Sequence, residues 1–244
     1  MYQEFAQVYD ELMKNVDYKA WTEYIERMFK LFNIKPKNII DLACGTGNIT
    51  IPLAKRNYNI IGIDISQDML SIAEQKAREH SLNIQWICQD MINFQGFTKQ
   101  DAIICACDGL NYILKVEDLQ SIFSRVYTSL RQGGIFVFDM NSRYKIEEVL
   151  AEQTFAYAGE EISYIWENYY NKDQEIIDFE LSFFVKNKEN YKRFNEIHKQ
   201  KAYSINNVIE LLKHAGFKKI DYYSAYSLEK PNFTSERIQY VALK

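Results

Sequence analysis

The chain is poor in the residues that punctuate or cross-link a fold. Nine glycines and three prolines in 244 residues exclude a linker-rich or low-complexity architecture. The four cysteines, Cys44, Cys88, Cys105 and Cys107, show no C-x-x-C spacing, and the three histidines, His80, His198 and His214, are scattered. Neither a zinc site nor a disulfide framework is indicated, and no metal is expected. All four cysteines lie in or beside apolar runs, so buried, reduced thiols are the expectation. Positive charge is scarce too: 29 Lys and Arg stand against 33 Asp and Glu, a net charge of −4. That balance lacks the basic footprint that large nucleic-acid partners require. No apolar run approaches the roughly 18 residues of a membrane span, and Met1 to Glu4 hold no basic region ahead of an apolar stretch. A cytoplasmic protein without a membrane partner is expected; monomer and homodimer both stay open.

What is present is apolar. A hydrophobic content of 47% fills the core of one domain with a substantial insertion. The chain is organised around residues 38–50, N-I-I-D-L-A-C-G-T-G-N-I-T, where a short apolar run turns into a glycine loop and then a helix. Gly45 and Gly47 allow a tight turn and close approach of a ligand, and the free N–H groups of the following helix face the same spot. A second apolar run, Asn59 to Asp64, ends in an acid seventeen positions after Gly47, near the spacing of roughly 20 at which an acid meets ribose hydroxyls. A third, Ile84 to Cys88, leads to Gln89-Asp90-Met91. Thr50 occupies the third fingerprint position, where an NAD site asks for glycine or alanine.

These residues resemble class I S-adenosylmethionine-dependent methyltransferases. D-L-A-C-G-T-G matches their first motif, Asp64 their ribose acid, and Asp90-Met91 their adenine site. The pattern is similar to small bacterial methyltransferases of unassigned substrate, related to aminosugar and glycine-type N-methyltransferases. The resemblance implies an α/β fold: a Rossmann-like seven-stranded sheet with an antiparallel last strand, plus an inserted antiparallel three-stranded lid sheet. It implies S-adenosylmethionine as cofactor, held by Asp41, Ala43, Gly45, Gly47, Asp64, Ile65, Met69, Asp90, Met91 and Cys107, with Tyr9 near the methionine end.

The rest of the chain fits that plan. Residues 1–34 read as two helices, with Phe5, Val8, Tyr9, Leu12 and Met13 and then Trp21, Ile25, Met28, Phe29 and Phe32 at helical spacing. In such enzymes F-A-x-x-Y-D forms a lid over the cofactor cleft; simple core packing is the plainer reading. Residues 35–154 and 203–244 form the cofactor domain. Ser66 caps one helix, and Gly133-Gly134 is expected to stop another before a strand from Ile135 to Met140. Residues 155–202 form the insertion, three strands holding most of the twelve aromatics found between Phe155 and Tyr203. A small sheet needs large side chains to build a core, so most of these are packing.

Methyl transfer from a sulfonium needs alignment in a dry pocket more than a catalytic triad. After the fourth strand the chain reads Cys107-Asp108-Gly109-Leu110-Asn111-Tyr112, unlike the N-P-P-Y of enzymes that methylate adenine or glutamine amides. Asp108, Asn111, Tyr112, Trp166, Glu196 and His198 are the candidates to meet the acceptor, although Asn111 also suits a helix cap. Glu196 and His198 share a strand face by period-two alternation, and with Tyr112 they are the candidate catalytic groups. A merely solvated strand face explains them equally well. From Lys186 to Lys201 six basic residues face two acids, a run suited to an acidic substrate or to a wet strand edge. The expected function is methyl transfer to N or O of a small molecule. The rivals are an RNA or tRNA methyltransferase using the basic strand, and a noncatalytic adenosylmethionine-binding module.

Overall fold

A computed structural model describes residues 3–244. Two helices open the chain, α1 (Gln3–Leu12) and α2 (Tyr18–Leu31). Asp17 starts the second by accepting the Ala20 N–H at 2.8 Å. The chain then alternates as the apolar runs require: β1 (Asn38–Leu42), α3 (Thr50–Lys55), β2 (Asn59–Asp64), α4 (Gln67–Glu79), β3 (Gln85–Cys88), β4 (Gln100–Cys105), α5 (Val116–Ser129) and β5 (Leu130–Asn141). An insertion follows, formed by β6 (Thr154–Ala158), β7 (Ile162–Asn171), β8 (Ile176–Asn187) and β9 (Asn190–Lys201). Then α6 (Ile205–Ala215), β10 (Lys219–Ser224) and β11 (Arg237–Leu243) complete the first sheet.

That sheet has seven strands in the order β10-β11-β5-β4-β1-β2-β3. Strands β1 to β5 run parallel, and β11 pairs antiparallel with both β5 and β10. The order reverses between β1 and β4, which opens a crevice at their carboxyl ends, the place where ligands bind in open sheets of this kind. Leu119, Ile122, Phe123 and Val126 of α5 are fully buried against one face. Each contributes roughly 1.5 to 3 kcal/mol of burial. Trp21, Ile25, Met28 and Phe29 of α2 cover the other face.

Three expectations are corrected. Gly133-Gly134 does not end a helix: α5 stops at Ser129 and β5 already begins at Leu130. The pairing jumps from Gln100–Leu130 to Ala102–Ile135, so the glycines form a bulge, with Gly133 at φ +71° and its N–H on the Lys244 carbonyl at 2.9 Å. The inserted sheet has four strands instead of three. Its extra strand, Thr154–Ala158, is exposed at every position, so it carries no in-and-out pattern and is held by backbone pairing to β7. Finally, Cys88 is exposed although the other three thiols are shielded, because β3 is an edge strand of the large sheet. No helix of the described residues is long and apolar enough to cross a membrane.

Candidate active site

The loop after β1 is shaped by Gly45 and Gly47, for different reasons. Gly45, at φ +53°, has no protein atom within 4 Å of where a Cβ would stand, and it faces the cleft. Gly47, at φ +79°, faces inward: a Cβ there would lie 2.8 Å from the Trp86 ring. The expectation that Gly47 approaches a ligand is therefore corrected; it makes room for an indole. Gly62 serves the same ring, with Trp86 carbons 2.4 Å from its virtual Cβ.

Asp64 at the end of β2 locks this loop. Its Oδ2 accepts the Gly45 N–H and its Oδ1 the Ser66 N–H, both at 2.8 Å. Burial raises its carboxyl above the ordinary value, and these backbone donors pull the other way. Asp41, fully enclosed, is pushed up to about 7 by burial, against the Thr50 hydroxyl that donates to it at 2.5 Å. Thr50 is thus committed to Asp41.

The cleft opens into a cavity of about 420 Å³. From the first sheet it is lined by Ala43, Gly45, Asp64, Ile65, Met69, Met91, Cys107, Asp108 and Tyr112, and from the inserted sheet by Trp166, Phe179, Leu181, His198 and Gln200. Phe5 and Tyr9 of α1, with Met13 just beyond it, border it on a third side. A recess of about 40 Å³ shares Tyr9, Ala43, Gly45 and Cys107 with it and reaches Asp41. Burial keeps the Tyr9 phenol and the Cys107 thiol neutral by raising both well above their ordinary values.

Other expected residues stand back from the cavity. Asp90 caps the single turn Met91–Asn93 by accepting the Ile92 N–H at 2.9 Å, and so presents Met91. Asn111 is fully buried outside the lining. Its amide donates to the Lys201 carbonyl at 3.0 Å and its oxygen accepts the Asn141 N–H at 2.9 Å, which ties β9 to β5. Its expected substrate contact is replaced by this structural role. Glu196 and His198 do share a face, but that face is buried rather than solvated. His198 lies between Phe5 and Tyr112, at ring distances of 5.3 and 6.0 Å, and burial lowers its pKa, so the imidazole is neutral at neutral pH.

Sequence reasoning reached Asp108 but missed the cation that anchors the cavity floor. Arg237, the first residue of β11, is paired with Asp108 at 2.7 Å and with Asp139. Asp139 also accepts the Cys107 and Asp108 N–H groups at 2.8 and 3.0 Å. Both residues have positive φ, 60° and 53°. Such conformations cost of order 1 to 3 kcal/mol each in non-glycine residues, and these bonds hold them in place. Gln200 extends the network, donating to Asp108 at 2.7 Å and accepting from Asn141 at 2.9 Å. The alternation that picked out Glu196 and His198 also reaches Gln200. Nothing in the sequence marks Arg237, or Lys145 on the short helix Lys145–Leu150.

The lid is latched. Asp10 of α1 accepts from Lys76 at 2.6 Å, from Thr46 at 2.6 Å and from Asn48 at 2.8 Å. Burial alone raises the Asp10 carboxyl, but these donors more than offset it and hold it below its ordinary value. The latch therefore weakens as pH falls through that depressed pKa. Asp10→Ala is expected to weaken cofactor binding by about 3- to 10-fold, since partly exposed pairs contribute of order 1 kcal/mol. Calorimetry reads the affinity, and hydrogen exchange in α1 reads the loosened helix. Unchanged exchange would refute the latch.

These features define a class: a Rossmann-like protein with a cleft at the carboxyl ends of its parallel strands, bordered by α1. A methyltransferase-domain family model matches residues 39–134. The chain is 40% identical to "Putative methyltransferase YqeM" of Bacillus subtilis (strain 168), over 100% of this chain and 97% of that protein. A crystal structure of a S-adenosylmethionine-dependent methyltransferase from Clostridium acetobutylicum is 39% identical and superimposes with a TM-score of 0.91, covering 99% and 98% of the two chains. An amino pentose methyltransferase from Micromonospora echinaspora, solved with the cofactor bound, shares the fold at TM-score 0.79 and 14% identity, covering 100% and 98% of the two chains. The chain belongs to the class I S-adenosylmethionine-dependent methyltransferases. Its cofactor is S-adenosylmethionine, and the residues present fit it: a Cβ-free face at Gly45 borders the cavity beside Asp64, each of whose oxygens accepts one backbone N–H and has a further lone pair.

Proposed function

We propose that this enzyme methylates N or O of a small molecule inside the cavity between α1, the strand ends and the inserted sheet, in the cytoplasm. The observation that supports this reading is a cavity of about 420 Å³ whose walls come from α1, the strand ends and the inserted sheet. Aromatic side chains of α1 and of the inserted sheet, Phe5, Tyr9, Trp166 and Phe179, flank His198 in this cavity, whose size suits a small acceptor. The cofactor supplies an activated methyl group when bound. The protein aligns the acceptor and excludes water, and orientation alone supplies roughly 7 to 11 kcal/mol of such a barrier. Asp64 would hold the ribose, Met91 the adenine face, and the recess at Ala43, Gly45 and Asp41 the methionine end. His198, neutral in its buried setting, is the group suited to accept a proton from a protonated acceptor.

The charges of the basic run support a small acceptor over RNA. Lys186 pairs with Glu160 at 2.7 Å, Lys199 with Asp178 at 2.6 Å, and Lys201 donates to the Gln174 carbonyl at 2.7 Å. The test begins with calorimetric titration of S-adenosylhomocysteine and, in parallel, NAD, followed by methyl-transfer assays on small amines and hydroxylated compounds. Binding of the first with silence from NAD and turnover on a small acceptor supports the reading; strong salt dependence with RNA as the sole acceptor sinks it. His198→Ala is expected to leave adenosylhomocysteine affinity within about 2-fold and to lower kcat by about 10² or more, the usual contribution of a positioned acid or base. Collapse of cofactor binding in that variant would place His198 elsewhere.

A further inference from the structure

The inserted sheet has two open edges, and they are built differently. Strand β9 on one side carries Lys192, Arg193, Lys199 and Lys201, charges of the kind that keep an edge from pairing with another chain. Strand β6 on the other side reads T-F-A-Y-A, without a charge or a proline, and all five residues are exposed. No element of the described chain covers it. The ladder to β7 fixes which of its backbone groups are free. The Asn168 N–H donates to the Gln153 carbonyl at 3.1 Å, and pairing continues in unbroken register from Thr154–Glu167 to Ala158–Ser163. Gln153 thus turns its backbone toward β7, and by alternation Phe155 and Tyr157 do the same. The N–H and C=O groups of Thr154, Ala156 and Ala158 point away from the sheet, toward its open edge.

We infer that β6 is a dimer seam, pairing antiparallel with β6 of a second copy of this chain about a two-fold axis at Ala156. The two inserted sheets then become one. In that register Ala156 faces the partner's Ala156 and Thr154 faces the partner's Ala158, so every outward N–H and C=O is answered. A shift by two residues strands one end of the strand against Glu152 or Glu160. Those two acids are held within their own chain, Glu152 by the Tyr170 N–H at 3.0 Å and Glu160 by Lys186 at 2.7 Å, and they bound the seam. The side chains agree with the register. Phe155 and Tyr157 share a face with Trp166 and Tyr164, which oppose them on β7. Across the axis Phe155 meets the partner's Tyr157, so the aromatic row continues through the seam, and aromatic cross-strand pairs are favourable. On the other face Ala156, opposite the exposed Ile165, leaves room for the partner's Ala156. No like charges meet within the five residues. Each copy uses its own β6 edge, so the assembly closes at two. Phe155 packs on Trp166 at a ring distance of 5.3 Å, which sets the seam directly behind the cavity wall.

The test is sedimentation of the full chain from about 1 to 500 µM, the range in which a short seam associates. The wild type is expected to pass from monomer to dimer across that range and to go no further. Ala156→Pro removes the central N–H of the seam, and because that N–H faces away from β7 the ladder holding β6 stays intact. This variant should remain monomeric throughout. Ala156→Lys and Ala156→Glu each set like charges opposite one another and should each weaken the dimer about 3-fold or more. An equimolar mixture of the two sets Lys against Glu, and should associate about 10-fold more tightly than either variant alone. Only a seam in which residue 156 meets itself gives that recovery. Adenosylhomocysteine affinity, measured at the lowest concentration, should be unchanged in every variant and certifies the fold. A wild type that stays monomeric or grows beyond a dimer, a dimer retained in Ala156→Pro, or a mixture no tighter than its components overturns the inference.

Discussion

Asp64→Ala is expected to raise the dissociation constant of S-adenosylhomocysteine about 100-fold or more, because charge-assisted hydrogen bonds contribute roughly 1.5 to 3 kcal/mol each. Two losses combine. In the ribose role proposed for it the carboxylate would offer its remaining lone pairs to the hydroxyls, and it fixes the Gly45 and Ser66 N–H groups at 2.8 Å, so the loop and the start of α4 both lose their anchor. Asp64→Asn separates the two contributions. The amide keeps the size and one acceptor but turns an N–H toward a backbone N–H, so it should recover stability only in part and cofactor affinity hardly at all. Calorimetry gives the affinities, and thermal unfolding shows whether the fold persists. Near-wild-type affinity in Asp64→Ala would remove this residue from the ribose site.

The contrast between Asp64 and Arg237 shows what a sequence displays. Asp64 sits at a fixed distance from a glycine loop and at the end of an apolar strand, so local spacing marks it. The helices and parallel strands were legible for the same reason: their apolar periodicity is local, and Ser66, Ser204 and Gly216 punctuate it where caps are needed. Gly133 and Gly134 misled because a bulge and a helix stop ask for the same residue, and the difference lies in pairing with Lys244, far along the chain. Thr154–Ala158 escaped because no side chain of that strand is buried. The partners of Asp108 on the cavity floor escaped because they come from far along the chain, Arg237 from β11 and Gln200 from β9. Asn111 was placed in the right neighbourhood with the wrong task, since only the folded chain brings Lys201 and Asn141 to its amide.

Arg237→Met should be the most destabilising of the single changes considered, because it leaves two carboxylates without their shared cation. Asp139 is fully buried. Removing one partner from a buried ion pair costs about 3 to 5 kcal/mol, which for a chain of this size lowers Tm by roughly 10 °C. The loss depends on pH, with a definite sign. Burial already holds the Asp139 carboxyl above its ordinary value, with Arg237 opposing that shift; without the guanidinium it rises further. Between the ordinary and the raised values the native chain keeps a proton that the unfolded chain has released, so stability falls as pH rises. The gap in Tm between variant and wild type should therefore be wider near pH 8 than near pH 5.5. Adding Asp139→Asn removes the stranded charge, although its amide meets one backbone N–H badly. The double variant should be less destabilised than the sum of the singles by about 1.5 kcal/mol or more. A pH-independent loss, or simple additivity, would show that the Arg237–Asp139 pair is not the support of the left-handed turn at Cys107 and Asp108, on which the acceptor side of the cavity is built.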